Sequence, residues 1–572
     1  MLYKVLNLID EKLKILKLFI FITIGAAIEL LSVGSMFPAL FLLIDNPNNF
    51  FIDKFFKIIN TETLVIEENI LPYFVLILLV SIFFIKFLYL VFLAYYQATI
   101  GNSIKLNISK KFLTKYLNAN FEFHVENNSA ILIRNIATEI EIFYKSVFVP
   151  LLICTMETII FGGLIFFLFF YNPLGTSVIV VILILLLLIY YFLLKKKYSQ
   201  WGQARQFYDG MKLKFLTQSL RFAKIIKLAE KENFFVNKYI KHFYNAVNLS
   251  KKFNTMYVFP RQFLEFFLVL SLVIISIYFI NKGHALNTLF ETLSVYVIVA
   301  YRLIPSANKL AVSFQSISTG KVALDKLNEI QNSKLNSDLS SRNNLNLKKI
   351  NFKNKIEIKK LNFSHKNGKD IFDSLDLIIS KGEFIGIVGK SGSGKTTLVD
   401  ILLGVYMPDS ASIFIDGKEI DYKKKLNLNI SYVPQDNFIL DDNIVNNIAL
   451  GIKRKDIDEK KLDEVIYLTK LQNLIDELPQ GKNTILGENG IRLSGGQKQR
   501  LSIARAIYND PEILIIDEAT SGLDIENERS ILEDLIKLKK LKTIILISHR
   551  KESMIFCDKI FEVKNKTVEQ VK

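Results

Sequence analysis

Long apolar stretches dominate the first 300 residues, and then the pattern changes its period. Six stretches, roughly 15–44, 70–98, 146–171, 173–194, 257–281 and 287–306, are apolar enough to cross a bilayer, which takes about 20 helical residues. Only Tyr171-Asn172-Pro173 joins the third to the fourth, room for no more than a tight turn. Lysines precede the first stretch, which outruns a signal-peptide core and has no clear cleavage site, so a retained first span is predicted. After Pro305 the long apolar runs stop, and residues 331–354, rich in Asn, Ser and Lys, read as a linker. From 355 to 572, short β-rich runs alternate with helical patterns, which predicts an α/β domain. The expected organisation is a polytopic helical membrane domain over 1–330, a linker, and an α/β domain over 355–572.

Composition changes the picture in one respect. The chain has 572 residues, is 51% hydrophobic with 46 Phe, and still carries a net charge of +17. A disordered chain would be poor in Phe, Ile and Leu. A strongly basic total invites a nucleic-acid partner, but the charge lies elsewhere. Residues 195–256 hold fourteen Lys and Arg against three acids, whereas 45–69 hold two against five. Basic residues concentrate in cytoplasmic loops. The loops after the second and fourth spans are therefore cytoplasmic, together with the N-terminus and the C-terminal domain, and nucleic acid is excluded as a partner. Cys154 and Cys557 cannot build a disulfide framework and read as free thiols. None of the five histidines has a metal-ligand spacing.

The chemistry sits in the second half. GEFIGIVGKSGSGKTTLVD contains GxxxxGK[ST] from Gly389 to Thr396, between an apolar strand and a helix, which is the context of a phosphate-binding loop. Its Ser391, Gly392, Ser393 and Gly394 let main-chain N–H groups close around phosphate, Lys395 reaches the outer phosphates, and the Thr396 hydroxyl, followed by Thr397, suits Mg²⁺. Downstream, ILIIDE delivers Asp517 to the metal shell and places Glu518 where it can polarise a water. An apolar strand ending in two acids is otherwise costly.

Between these motifs lies LSGGQ, residues 493–497. In this order and spacing the three segments resemble the nucleotide-binding domain of ABC transporters. The resemblance implies ATP and Mg²⁺ as ligands. It implies roles for Gln435 on the metal, for His549 at the γ-phosphate, and for Asp524 in the SGLD loop. It also implies that Ser494, Gly495, Gly496 and Gln497 grip the nucleotide held by a second copy. The family stacks adenine on a Tyr, and His365 stands there in this chain. One such domain with six spans implies a domain-swapped homodimer with both composite sites intact. Six spans with long cytoplasmic loops resemble the exporter class, and 121–136 and 220–239 look like its two coupling regions. Importers have short loops and usually separate subunits. A gating protein without turnover tends to lose the glutamate or the signature, and both are present here.

Charges inside the spans bear on substrate. Lys86, Arg261 and Arg302 fall on spans two, five and six, and Glu29, Glu157, Glu265 and Glu291 also lie in apolar runs. Such groups are expensive in a bilayer and tend to face one another or a wet cavity. Pairing, for example of Arg261 with Glu265 one turn away, is one reading; a cavity for an anion such as pyrophosphate is the other. VAYRLIPSANKL (299–310), PRQFLE (260–265), AIELLSVGSMFPAL (27–40) and FLAYYQA (92–98) are similar to segments of the PglK-type flippases of lipid-linked oligosaccharide in bacterial N-glycosylation. That resemblance implies a flippase for a polyprenyl-pyrophosphate oligosaccharide in the bacterial inner membrane, in contact with membrane lipids. It assigns the pyrophosphate to Arg261, Arg302 and Lys86, the last replacing an arginine. FFIDKFFKII (50–59) has an apolar face with Phe51, Phe55 and Ile59, and looks like the external helix that engages the polyprenyl tail. Export of drugs, lipid A-type lipids or peptides is the alternative.

Overall fold

The computed structural model describes residues 1–37, 39, 71–171, 173–281, 286–333, 352–365, 370–420, 428–518, 525–538 and 542–572. The 50–59 segment with Phe51, Phe55 and Ile59, most of the 331–354 linker, and Asp524 lie outside the described residues. The chain divides into two compact units, Met1–Ser337 without Asn120–Glu122, and Asp338–Lys572 with them.

The first unit is helical. Its long helices are α1 (Lys12–Gly34), α2 (Leu71–Leu117), α3 (Val149–Tyr171), α4 (Pro173–Arg221), α5 (Glu232–Asn281) and α6 (Leu286–Asn332). Among the described residues four helical stretches are long and apolar enough to cross a membrane: Lys12–Gly34, Tyr73–Leu117, Ser129–Phe170 and Ser294–Asn332. The expected spans 173–194 and 257–281 lie within α4 and α5. At about 1.5 Å per residue, the 47 to 50 residues of α2, α4, α5 and α6 reach well beyond a bilayer. The basic stretch 195–256 is therefore mostly helix, and its charge lies on the extensions. Short helices Phe121–Glu126 and Ala223–Leu228 occupy the turns between long ones, at the two expected coupling regions. Pro305 lies inside α6 and does not end it. A helix that continues past a proline loses one hydrogen bond and must be held by its packing, and Leu303 and Ala307 are buried on either side.

The second unit is α/β. A four-stranded antiparallel sheet runs in the order β2 (Asp370–Ser380), β1 (Lys355–Ser364), β4 (Ser410–Ile415), β5 (Lys418–Ile420). A six-stranded sheet runs β10 (Thr567–Gln570), β9 (Lys559–Lys564), β3 (Phe384–Val388), β8 (Thr543–Ile547), β7 (Ile513–Asp517), β6 (Ile430–Val433), parallel except for the β10 edge. Strands buried on both faces read as continuous apolar runs, and ILIID and TIILI are buried at every residue. Alternate side chains feed opposite cores: Leu514, Ile516, Ile544 and Leu546 enter one, and Ile513, Ile515, Ile545 and Ile547 the other. Helix α7 (Lys395–Leu402) follows β3, and α8 (Gly495–Tyr508) precedes β7. Cys154 and Cys557 are both free.

Candidate functional site

The central parallel strands end together, and the polar residues that follow them converge. The loop after β3 turns with positive φ at Gly392 (+76°) and Gly394 (+109°). A Cβ at Gly394 would meet Ile371 at 2.9 Å and Phe372 at 3.1 Å, so glycine is required there twice over. Lys395 opens α7 and folds back, donating to the carbonyls of Gly389 (2.9 Å) and Lys390 (3.2 Å). Burial pulls its ammonium below the usual lysine range, against the attraction of Glu518 and Asp517. The Ser393 hydroxyl is buried and has no hydrogen-bond partner among the described residues. Thr396 is exposed and Thr397 half-buried on the first turn of the helix, while Ser391 is exposed in the loop.

Asp517 closes β7. Its carboxylate accepts a 3.0 Å hydrogen bond from the Tyr432 hydroxyl on the neighbouring β6. Burial pushes the Asp517 carboxyl up, and the Tyr432 hydrogen bond and Lys395 oppose the rise. Burial also raises the Tyr432 hydroxyl. Asp400 on α7 is pushed to about 6 by burial and by the charge of Asp517. Glu518 is one residue beyond the strand, in the left-handed region at φ +47°, a conformation non-glycine residues adopt at a cost. Its N–H donates to the Ile547 carbonyl at the end of β8 (3.0 Å). That turn aims the side chain between two partners: Gln435 Nε2 donates to Glu518 Oε2 at 2.9 Å, and His549 Nε2 lies 2.8 Å from Oε1.

The structure thus brings Lys395, Asp517, Glu518, Gln435 and His549 together from four separate segments. The donor set fits ATP with Mg²⁺. A glycine loop, an ammonium held only by carbonyls and an orphaned hydroxyl are donors suited to phosphate, and Thr396 with Asp517 offers a hard cation its oxygens. Among the described residues no cluster of three His, Cys, Asp or Glu forms a metal cage, so such a cation would rest largely on phosphate and water. His365 meets Phe363 (5.1 Å) and Tyr406 (5.6 Å) edge to face, at interplanar angles of 82° and 80°. Ser494 caps α8 in a reciprocal capping box with Gln497: Ser494 Oγ accepts from Gln497 N at 3.3 Å, and Gln497 Oε1 accepts from Ser494 N at 2.8 Å. Ser494 and Gly495 are exposed and Gly496 half-buried, and among the described residues no hydrogen bond joins this turn to the phosphate-binding loop. The turn therefore presents a helix N-terminus outward.

The helical unit holds a second charged centre. Glu29 on α1 meets Lys86 of α2 at 3.1 Å and Arg302 of α6 at 2.9 Å, both through Oε1. Glu157 on α3 accepts from Ser306 (2.6 Å), Lys309 (2.6 Å) and Arg302 (3.4 Å). Both carboxylates are buried. Lys86 and Arg302 are therefore brought together through the two acids in this structure. Arg261 instead pairs with Glu265 on its own helix at 2.8 Å, with its side chain 63% exposed. Sequence reasoning missed Ser306 and Lys309, although they follow Arg302 at i+4 and i+7, the spacing of one helical face. It also missed Tyr432, which stands three residues before Gln435 on a strand end, and Asp400.

Two family models match. "ABC transporter transmembrane region" covers residues 19–301, and "ABC transporter" covers 372–521. Among curated proteins the chain is similar to the alpha-hemolysin translocation ATP-binding protein HlyB of Escherichia coli, 43% identical over 208 residues, or 35% of this chain and 29% of that protein. It is similar to the leukotoxin translocation ATP-binding protein LktB of Mannheimia glucosida, 44% over 208 residues, with the same 35% and 29% coverage. The heterocyst differentiation ATP-binding protein HepA of Nostoc sp. is 42% identical over 192 residues, or 33% of this chain and 31% of that protein. The matched region thus spans less than a third of each relative's length. Among solved structures, a bacterial Atm1-family ABC exporter with ATP bound superposes with a TM-score of 0.80 at 19% identity, over 98% of this chain and 95% of that one. The chain accordingly belongs to the ABC transporters, with a transmembrane region and an ATPase domain in one polypeptide folded as an exporter half-transporter.

Proposed function

We propose that two copies of this chain form an ATP-driven flippase that moves a polyprenyl-pyrophosphate oligosaccharide across the bacterial inner membrane. The observation that carries the ATPase half is the placement of Glu518 between Gln435 and His549 beside Lys395. Lys395, Ser393 and the glycines would hold the phosphates, the His365 imidazole would stack on the base, and Thr396, Gln435 and Asp517 would hold Mg²⁺. The metal, when bound, neutralises charge on the transferring phosphate. Glu518 orients the attacking water and takes its proton, and His549 fixes the glutamate and faces the γ-phosphate. Ser494 to Gln497 of one copy close on the nucleotide of the other, and Asp524 lies at the same junction. Residues 1–330 carry the substrate path, 331–354 link it to the ATPase domain at 355–572, and the N-terminus and ATPase domain face the cytoplasm.

The lipid-linked substrate is supported by cations inside the spans and by the flippase-like segments around Arg261 and Arg302. Reconstituted protein should flip a polyprenyl-pyrophosphate oligosaccharide and leave a dye and a phospholipid in place; equal transport of the dye would overturn the substrate assignment. Arg302→Ala should abolish flipping. The toxin-translocating relatives favour export of a polypeptide as a second reading, and the same vesicles loaded with a polypeptide substrate separate the two.

A further inference from the structure

We infer that the Glu29 carboxylate is a built-in placeholder for the anionic head of the transported lipid, displaced from Lys86 and Arg302 when that head enters. The inference rests on the flippase reading above and deepens it. Its ground is that the two buried acids are held in different ways. Glu157 is anchored: both of its oxygens accept hydrogen bonds, from Lys309, Ser306 and Arg302. Glu29 is bound by charge alone. Its Oε1 is shared between Lys86 and Arg302, and among the described residues its side chain takes part in no hydrogen bond.

The defect is visible from the other partner as well. Among the described residues the buried Arg302 Nε finds no hydrogen-bond acceptor, although it lies 2.9 Å from Glu29 Oε1. The distance is that of an ion pair, but the N–H is not aimed at the oxygen. A buried donor left unsatisfied is expensive, and a phosphate matches a guanidinium in two parallel bonds, which one shared carboxylate oxygen does not. Charge points the same way. Lys86, Arg302 and Lys309 face Glu29 and Glu157, so the centre keeps one positive charge in excess, and release of Glu29 makes it two. An incoming pyrophosphate supplies the balancing charge.

The surroundings select the class of anion. A cavity of about 660 Å³ lies among α1, α2 and α3, lined by apolar side chains such as Leu31, Ile82 and Phe166. Its wall includes Ile28 and Ile85, the chain neighbours of Glu29 and Lys86. Ile28 apart, the lining residues follow Glu29 on α1, precede Lys86 on α2 and follow Glu157 on α3. Successive spans run in opposite directions, so all three charged residues sit at one end of the apolar cavity. An anionic head joined to a long apolar chain fits both parts.

The test measures binding to the full-length dimer in nanodiscs, using polyprenyl pyrophosphate, inorganic pyrophosphate and a zwitterionic phospholipid. Glu29→Gln, close to isosteric and uncharged, should bind the polyprenyl pyrophosphate roughly fivefold or more tightly than wild type, on the scale of a coupling between competing groups. Glu29→Asp, whose shorter side chain draws the carboxylate back from both cations, should fall between and guards against misfolding of the first variant. Inorganic pyrophosphate should bind more weakly than the lipid. Unchanged or weaker lipid binding in both variants overturns the inference. So does a rise in substrate-free ATPase without a change in affinity, which marks Glu29 as a helix lock. Equal tightening for the phospholipid overturns it too, as ordinary bilayer lipid. Absence of binding by wild type is a different result: it removes the flippase reading itself.

Discussion

Two charged centres, one in each unit, use the same kinds of side chain on opposite plans. In the ATPase unit the acids are consecutive, Asp517 and Glu518, and a single buried strand delivers both. One turn at φ +47° then separates their roles, sending Asp517 to Tyr432 and Glu518 to Gln435 and His549. In the helical unit the acids are 128 positions apart in sequence, Glu29 and Glu157, and four helices meet to pair them with Lys86, Arg302 and Lys309. The first plan gathers polar residues where the central parallel strands end, with Asp517 and Lys395 buried and Ser391 and Thr396 exposed. The second pairs two buried acids with three cations inside a helical bundle. A motif reports chemistry where a single strand end and its loop deliver the reacting groups. An isolated charge in a span reports only that a partner exists.

The largest effect should come from the catalytic acid. Glu518→Gln should lower ATP hydrolysis by roughly 10²–10⁴-fold while nucleotide binding persists, as read by phosphate release and by binding of a fluorescent nucleotide. Normal turnover would leave the strand-end centre without its base. The counterpart in the bundle is structural. Glu157→Leu strips the anchor from Lys309 and Arg302 and should cost about 3–5 kcal/mol of stability, as expected when one partner of a buried pair is removed. A thermal unfolding midpoint matching wild type would show that the pairs are not desolvated. Glu157→Gln, which keeps the hydrogen-bonding shape, should cost less.

A smaller effect tests burial without pairing. Asp400 is raised from 3.8 to about 6. A carboxyl raised in the folded state stabilises while protonated, so its contribution is complete below its unfolded value and is lost as pH rises through about 6. Asp400→Asn should therefore stabilise the protein at pH 8 by about 1–2 kcal/mol, with the gain vanishing near pH 4; melting curves across that range check it. The smallest effect belongs to the exposed pair of α5. Arg261→Ala removes a single i,i+4 partner, worth about 0.3–0.5 kcal/mol, and should leave the unfolding midpoint within error. A large loss would place Arg261 in a buried network like that of Arg302.

Much of this was written in one dimension. The apolar runs located the long helices, and the asymmetry of 195–256 located their basic extensions, because a bilayer and a positive-inside bias act on composition alone. The phosphate-binding loop was equally readable: positive φ at Gly392 and Gly394 can be satisfied at no steric cost only by glycine, so the sequence must carry the residue. ILIIDE was readable because a strand buried on both faces has to be apolar throughout and end where the acids begin. Tertiary structure alone decided which partner each charge takes. Arg261 and Arg302 look alike in sequence. One reaches Glu265 a turn away on its own helix, and the other reaches Glu29 and Glu157 on two different helices. Tyr432 under Asp517, Asp400 near the same acid, and Lys309 on Glu157 were settled the same way. The reason is physical: electrostatic energy depends on distance and burial, and both are set by how elements pack across hundreds of residues rather than by the period of any one of them.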